Sequence, residues 1–294
     1  GMKLVEFQIA MPLSLEEYRR GQLYMVARMT KEQLNASEKT GAEVIKNEPC
    51  QLPQHGKGIY TKKLYHYRNR LPSYVRAVTP KKASFIVEES WNCFPYSRTV
   101  LAHPSFSKFS VEIETIHMEA QRGPDGDLKY EENVHQLGPE ALKKRTVKRI
   151  DIADNSDMDS KKLDPSTDPS VFCSRAGRGP LKEGWSKREN PCMIAYKKVT
   201  IHCSYFGIQT IVQNYLEGYE HGLFKDSHRR LWCWQDEWIH MSTEELLIFE
   251  QKVSQEMNEG MRQIMAGGST QLEEEQKDVS LVSFEDEDEE ALKK

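Results

Sequence analysis

The sequence predicts an α+β fold built on a mainly antiparallel β-sheet, and three observations carry that reading. Eight stretches show the period-two alternation of half-buried strands. Few helices lie between them, where a doubly wound fold needs one after nearly every strand. The clearest helical stripes gather instead at the C-terminal end.

In chain order, Val5, Phe7, Ile9 and Met11 alternate with Glu6, Gln8 and Ala10, a strand with one apolar face. Ser14-Leu15-Glu16-Glu17 is a capping box: the serine hydroxyl and the glutamate three residues on satisfy each other's backbone N–H. The helix it starts carries Tyr18, Gln22, Met25 and Val26 along one side. Strands follow at Glu43 to Glu48, Gly58 to Tyr67, Ser84 to Cys93, Tyr96 to His103, Phe109 to Met118, Thr146 to Ala153 and Met193 to Cys203. Two long polar stretches interrupt them, Glu119 to Leu142 and Asn155 to Pro191, and loops of this length usually serve as lids or stay disordered. From Ile208 the spacing turns helical through Ile211, Val212, Tyr215, Leu216 and Tyr219. A last helix opens at a second capping box, Ser242-Thr243-Glu244-Glu245, with the stripe Leu246, Phe249, Val253, Met257, Met261 and Ile264. That stripe runs out at Gly267-Gly268, so the expectation is one domain over 1–268 and a disordered acidic tail over 269–294.

Composition narrows the function. Of 294 residues, 38% are hydrophobic and 29% charged, a soluble composition long enough to bury a substantial core. No run approaches the ~18 apolar residues of a membrane span, and no signal-peptide pattern opens the chain, which predicts a cytoplasmic protein. The net charge of −4 is uneven: Gln271 to Lys294 holds ten acidic and three basic residues, against 38 basic and 35 acidic in the rest. So mild a positive body excludes a nucleic-acid binder read on charge. It suits peripheral attraction to an anionic membrane, at ~1 kcal/mol per nearby Lys or Arg. The six cysteines show neither CxxC nor zinc-finger spacing, so no metal site is expected. No phosphate-cradling glycine loop and no GxSxG elbow occur, so neither a cofactor nor a catalytic nucleophile is expected.

The informative residues are polar ones on apolar faces. Lys197 interrupts Met193, Ala195, Val199, Ile201 and Cys203; Thr61 and Lys63 share a face with Ile59 and Tyr65; Thr115 falls among Phe109, Val111 and Ile113. On the last helix Glu250 projects into the stripe beside Met257 and Met261. A buried unpaired Lys or Glu costs several kcal/mol. Each residue alone reads as a snorkelling side chain or a half-exposed strand. Together they describe an interior cavity for a ligand with an apolar body and a phosphate-plus-hydroxyl head: cations and hydroxyls for phosphate oxygens, a carboxylate for sugar hydroxyls.

From about Lys3 to Met265 the chain resembles the phosphatidylinositol transfer proteins. The resemblance is carried by Asn47-Glu48-Pro49, Tyr60-Thr61-x-Lys63, Trp91-Asn92-x-x-Pro95-Tyr96, Ile113-Glu114-Thr115, Glu132-Asn133-Val134-His135, Asp151-Ile152-Ala153-Asp154, Gly177-Arg178-Gly179-Pro180-Leu181, Ala195-Tyr196-Lys197, and His228-Arg229 leading into Trp232-Cys233-Trp234. It implies a StART-like concave sheet with long helices enclosing one lipid. It also implies inositol contacts at Thr61, Lys63, Asn92 and Glu250, and phospholipid-phosphate contacts at Gln22, Thr99, Thr115 and Lys197. Asn155 to Pro191 matches the family's regulatory loop, with Ser174 at a position phosphorylated in some members; a loop serine is by default a solvated surface residue. The membrane-docking tryptophan pair of many members is Tyr205-Phe206 here, a cysteine near the lipid head is Ser97, and a phenylalanine before His228 is Ser227. Motifs of class I (Glu132 to His135) and of the class II, retinal degeneration B type (Glu88 to Trp91, Trp232 to Trp238) are mixed, with a lean to class II. The second lipid is then phosphatidic acid or phosphatidylcholine. Rival readings are a phospholipid-modifying enzyme using Lys197, Lys63 and Glu250, and a scaffold whose acidic Ser283-Phe284-Glu285-Asp286 contacts a VAP-type receptor.

Overall fold

The computed structural model describes residues 1–35, 42–66, 71–79, 85–159, 161 and 163–266. Eight strands form one sheet in the order β2 (Ala42–Leu52), β3 (Gly56–His66), β4 (Phe85–Cys93), β5 (Tyr96–Ala102), β6 (Phe109–Glu119), β10 (Met193–Cys203), β1 (Met2–Met11) and β9 (Thr146–Ile150). Every pairing is antiparallel except β1 with β9. A small hairpin, β7 (Gln121–Arg122) with β8 (Leu128–Lys129), sits inside the first polar stretch. The eight expected strands are the eight of the large sheet, with the ninth-in-line segment ending at Ile150 rather than Ala153.

Three long helices cover one face. In α1 (Leu15–Asn35) the capping box forms as the sequence specifies: Glu17 N–H donates to Ser14 Oγ at 3.1 Å and Ser14 N–H to Glu17 Oε2 at 2.9 Å. The same reciprocal pair, Ser242 with Glu245, opens α7 (Thr243–Ala266) at 2.7 and 3.2 Å. Between them run α5 (Gln209–Cys233) and the short α6 (Gln235–Trp238). Gly21 of α1 is required by close approach, since a Cβ there would lie 2.9 Å from the Trp238 ring. Phe224 of α5 meets Phe7 of β1 edge-on at 5.4 Å, and Leu231, Trp232 and Trp238 are buried where the helices join the sheet. On α7, Leu246, Val253 and Met257 are buried as the stripe predicts; the side chains of Met261 and Ile264 lie outside those described. Near its C-terminal end Asn258 donates to the Val44 carbonyl at 3.1 Å and accepts from the Val44 N–H at 3.0 Å, fastening the helix to the outer strand β2.

Short helices the sequence reading did not name are α2 (Ser73–Val78), α3 (Pro139–Lys144) and α4 (Trp185–Arg188). They are too brief to show a helical period.

β1 has the apolar face expected of it, and its second face is covered as well: Glu6 and Gln8 are as buried as Phe7 and Ile9. The chain between β6 and β10 packs over that side, and Arg145 meets Glu6 at 2.8 Å while Arg149 donates to Gln8 at 3.3 Å. The segment Asn155 to Pro191 is not loose where it is described. Arg229 ties it down through Asp168 at 3.2 Å and Asn155 at 2.9 Å, Arg178 reaches Glu17 at 3.0 Å and the Pro12 carbonyl at 2.8 Å, and Leu181 and Trp185 are buried. The acidic tail, the Ser283 to Asp286 motif, Gly267-Gly268, Tyr67 and Ser84 lie outside the described residues.

Candidate functional site

The helix-covered face of the sheet is not fully packed. Between it and α1, α5 and α7 lies a cavity of about 620 Å³. Strand register builds its polar floor. Asn92, Ser97, Thr115 and Lys197 stand side by side in one row across β4, β5, β6 and β10. The next row runs Thr61, Ser90, Thr99 and then Ile113; the third runs Lys63, Glu88, Leu101 and Val111. Polar groups therefore form a wedge, widest at the first row and confined to β3 and β4 by the third. Because side chains alternate faces, each of these residues points to the same side, and all of them line the cavity.

The helices complete the site. Gln22 of α1 and Glu250 of α7 also line the cavity, beside apolar walls that include Leu23, Met29, Val212, Leu216 and Leu223. Lys197 is nearly buried and donates to Thr115 Oγ1 at 3.3 Å, with its ammonium 5.0 Å from the centre of the Phe224 ring. Burial presses its pKa down to about 8, partly offset by Glu220. Glu250 is pushed above the usual carboxylate range by burial, against the pull of Lys63. His117 and His228 are driven down to about 3, first by burial and then by Lys197, so both are neutral. His228 shares a 3.0 Å hydrogen bond with the Tyr18 hydroxyl and another, at 2.7 Å, with the Phe224 carbonyl. Asn92 Oδ1 is buried without a hydrogen-bond partner among the described residues. Such a wall can take the hydroxyls and anionic oxygens of a polar head while the rest of the cavity shelters apolar chains.

A family model described as phosphatidylinositol transfer protein matches residues 2–255. The chain belongs to that family. It is 40% identical to phosphatidylinositol transfer protein 1 of Dictyostelium discoideum over 266 residues, covering 89% of this chain and 97% of the relative. The human phosphatidylinositol transfer protein beta isoform is 37% identical over 259 residues, 86% of this chain and 92% of that protein. The cytoplasmic phosphatidylinositol transfer protein 1 of Drosophila melanogaster is 36% identical over 265 residues, 90% and 93% respectively. The large, mostly antiparallel sheet and the long C-terminal helices make the fold α+β and StART-like.

Within this phosphatidylinositol transfer protein fold, the eight polar positions named from the sequence all line one cavity, six on the sheet and two, Gln22 and Glu250, on the helices that cover it. Asn92, whose register the sequence left open between large residues on both sides, is placed by its partner Ile59 on β3. Tyr205 and Phe206 divide. Phe206 is fully exposed, whereas Tyr205 lines the cavity, so the pair is not wholly separate from the binding space. Ser174 is not on the surface: it is 5% exposed, and its hydroxyl accepts from the Arg178 N–H at 3.0 Å. Glu88 and Ser90, named in the sequence only as part of a class motif, also line the cavity: both fall in step with Asn92 along β4, and Glu88 stands opposite Lys63. Sequence reasoning passed over Glu220 of α5, hidden because that helix buries polar residues on the same side as apolar ones, and named His228 only as part of a family motif. Among the described residues no helix is long and apolar enough to cross a membrane, and no group of His, Cys, Asp or Glu is arranged to hold a metal.

Proposed function

We propose that this chain is a lipid carrier that holds one phosphatidylinositol in the cavity and exchanges it between membranes. The observation that supports this most is the polar wedge on an otherwise apolar cavity wall, in a member of this family. In this reading Thr61, Lys63, Asn92 and Glu250 take the inositol hydroxyls, the carboxylate accepting and the amine and amide donating. Gln22, Thr99, Thr115 and Lys197 take the phosphate oxygens, with the Lys197 bond charge-assisted. Transfer makes and breaks no covalent bond, so these groups orient and do not react; the protein is a carrier and not an enzyme.

Of the two candidates for the second lipid, the lining favours phosphatidic acid. Ser97 adds a hydroxyl in the row that ends at Lys197, and the Phe224 face that could attract a quaternary ammonium already faces the Lys197 ammonium. Exchange requires peripheral contact with a bilayer, for which the exposed Phe206 ring is the natural anchor and α7 the movable wall.

Native mass spectrometry of the purified protein, followed by vesicle transfer assays, tests the reading. Phosphatidylinositol should co-purify and be returned intact. Thr61→Ala, Lys63→Ala, Asn92→Ala and Glu250→Ala should each lower phosphatidylinositol transfer relative to phosphatidic acid transfer by about five- to thirtyfold, the equivalent of losing 1–2 kcal/mol. An equal loss for both lipids would assign these residues to the fold, and a chemically altered lipid would restore the enzyme reading.

A further inference from the structure

Glu220 is a cavity residue that the contacts above leave without a task. It lies on α5, is 4% exposed, lines the cavity, and its Oε2 is buried with no hydrogen-bond partner among the described residues. An acceptor oxygen sealed from water and left unused is costly. The surrounding groups explain why it is tolerated. Lys197 on β10 is the cation that favours its ionised form, while burial and Glu88 on β4 oppose ionisation. The pKa of Glu220 is consequently pushed up to about 7. Four neighbouring groups keep one form near neutrality. His117 on β6 and His228 on α5 are neutral, and burial raises the hydroxyls of Tyr18 on α1 and Tyr65 on β3 further from ionisation. Lys63 on β3 and Glu250 on α7 face each other at the inositol end, where Glu250 feels Lys63.

An anionic phosphate brought to Lys197 changes the balance. Lys197 then serves two anions, the phosphate and Glu220, in a space that water screens poorly. A carboxyl group that takes up a proton removes the repulsion and turns its unused oxygen into a donor for a phosphate oxygen. We propose that Glu220 is a further headgroup contact which binds the lipid phosphate in its protonated form, so that loading an anionic phospholipid takes up a proton from solution. The proposal rests on the carrier reading and deepens it: the ligand class is a phospholipid whose phosphate reaches Lys197.

The sign of the coupling follows. The loaded Glu220 titrates higher than the empty one, so affinity rises as pH falls towards about 7 and levels off below it. Lys197, held at about 8 when the cavity is empty, adds a coupling of the same sign that is confined mainly to pH above about 8. Between those values the slope belongs chiefly to Glu220.

The test uses the full chain freed of lipid and dihexanoyl phosphatidylinositol, whose phosphodiester does not titrate in this range. Calorimetry in buffers of different ionisation enthalpy at about pH 7.5 should show uptake approaching one proton per lipid, with binding up to about tenfold tighter at pH 7 than at pH 8. In Glu220→Gln, which keeps shape and cannot titrate, both the uptake and the slope should fall to the share that Lys197 supplies, with a thermal melt confirming the fold. Loading of the unmutated protein without proton uptake overturns the proposal, as does a Glu220→Gln protein that keeps the slope. If the unmutated protein neither binds this probe nor co-purifies with phospholipid, the carrier reading itself fails and the inference falls with it.

Discussion

Glu6 on β1 and Glu220 on α5 are both buried glutamates, 0% and 4% exposed, and they lie on opposite sides of one sheet. Glu6 has both oxygens engaged, one by Arg145 at 2.8 Å and the other by the Gln8 amide at 2.8 Å. Glu220 has an oxygen with no partner and a cation that it shares with an open space. In the first, closed arrangement each carboxylate oxygen already holds a partner. The second has capacity left over on a cavity wall. Buried charge in this molecule therefore has two meanings, and the count of satisfied hydrogen bonds separates them better than depth does.

The contrast can be broken most forcefully at the closed site. Glu6→Ala leaves the nearly buried Arg145 without its carboxylate and should lower unfolding stability by about 3–5 kcal/mol, read as a shift of the urea midpoint. A loss below about 1 kcal/mol would erase the distinction between the two glutamates. At the open site the expectation reverses. Lys197→Met should reduce transfer of labelled phosphatidylinositol by about ten- to hundredfold, corresponding to a charge-assisted bond of roughly 1.5–3 kcal/mol. Its urea midpoint should hold or rise, because the folded state lowers the Lys197 pKa to about 8, a penalty on folding that is fully present below that pH. A collapse in stability would place Lys197 with the structural charges. The smallest effect is expected outside both regions. Phe206→Ala removes a fully exposed ring and should leave stability and retained lipid alone while slowing exchange between vesicles roughly fivefold, about 1 kcal/mol of interfacial insertion. An unmutated rate would move the docking surface elsewhere.

The same contrast explains what the sequence could and could not say. β10 is legible because one face repeats Met193, Ala195, Val199, Ile201 and Cys203, so Lys197 stands out as the exception. Thr115 and Lys63 are visible by the same reasoning. Asn92 is not, since Trp91 and Cys93 on one parity and Phe94 on the other are all apolar, and only pairing with β3 fixes its side. The burial of Glu6 is invisible for a different reason. Alternation reports that a face is polar, and polar faces are usually solvated; that residues far along the chain would cover it with Arg145 and Arg149 is a tertiary fact with no local signature. Glu220 escapes because α5 buries Gln213, Glu220, Lys225, Ser227, His228 and Arg229 along with Phe224 and Leu231, so its periodicity is blurred in the stretch that meets both cavity and core. The two capping boxes were readable because each is a local bargain of four residues that no distant contact has to complete.

The clasp between Asn258 and Val44 bears on solubility. β2 is the outermost strand on its side of the sheet, and an outer strand offers unpaired amides and carbonyls to any passing chain. The Asn258 side chain imitates a neighbouring strand there, presenting one donor and one acceptor to a single residue beside the bulge in β2. If α7 swings aside to let cargo through, that imitation is withdrawn and the strand edge is bare for as long as the wall stands open. Brevity of opening would then protect the protein from sticking to copies of itself, and a lipid bilayer pressed against the gap would be the safest place to open it.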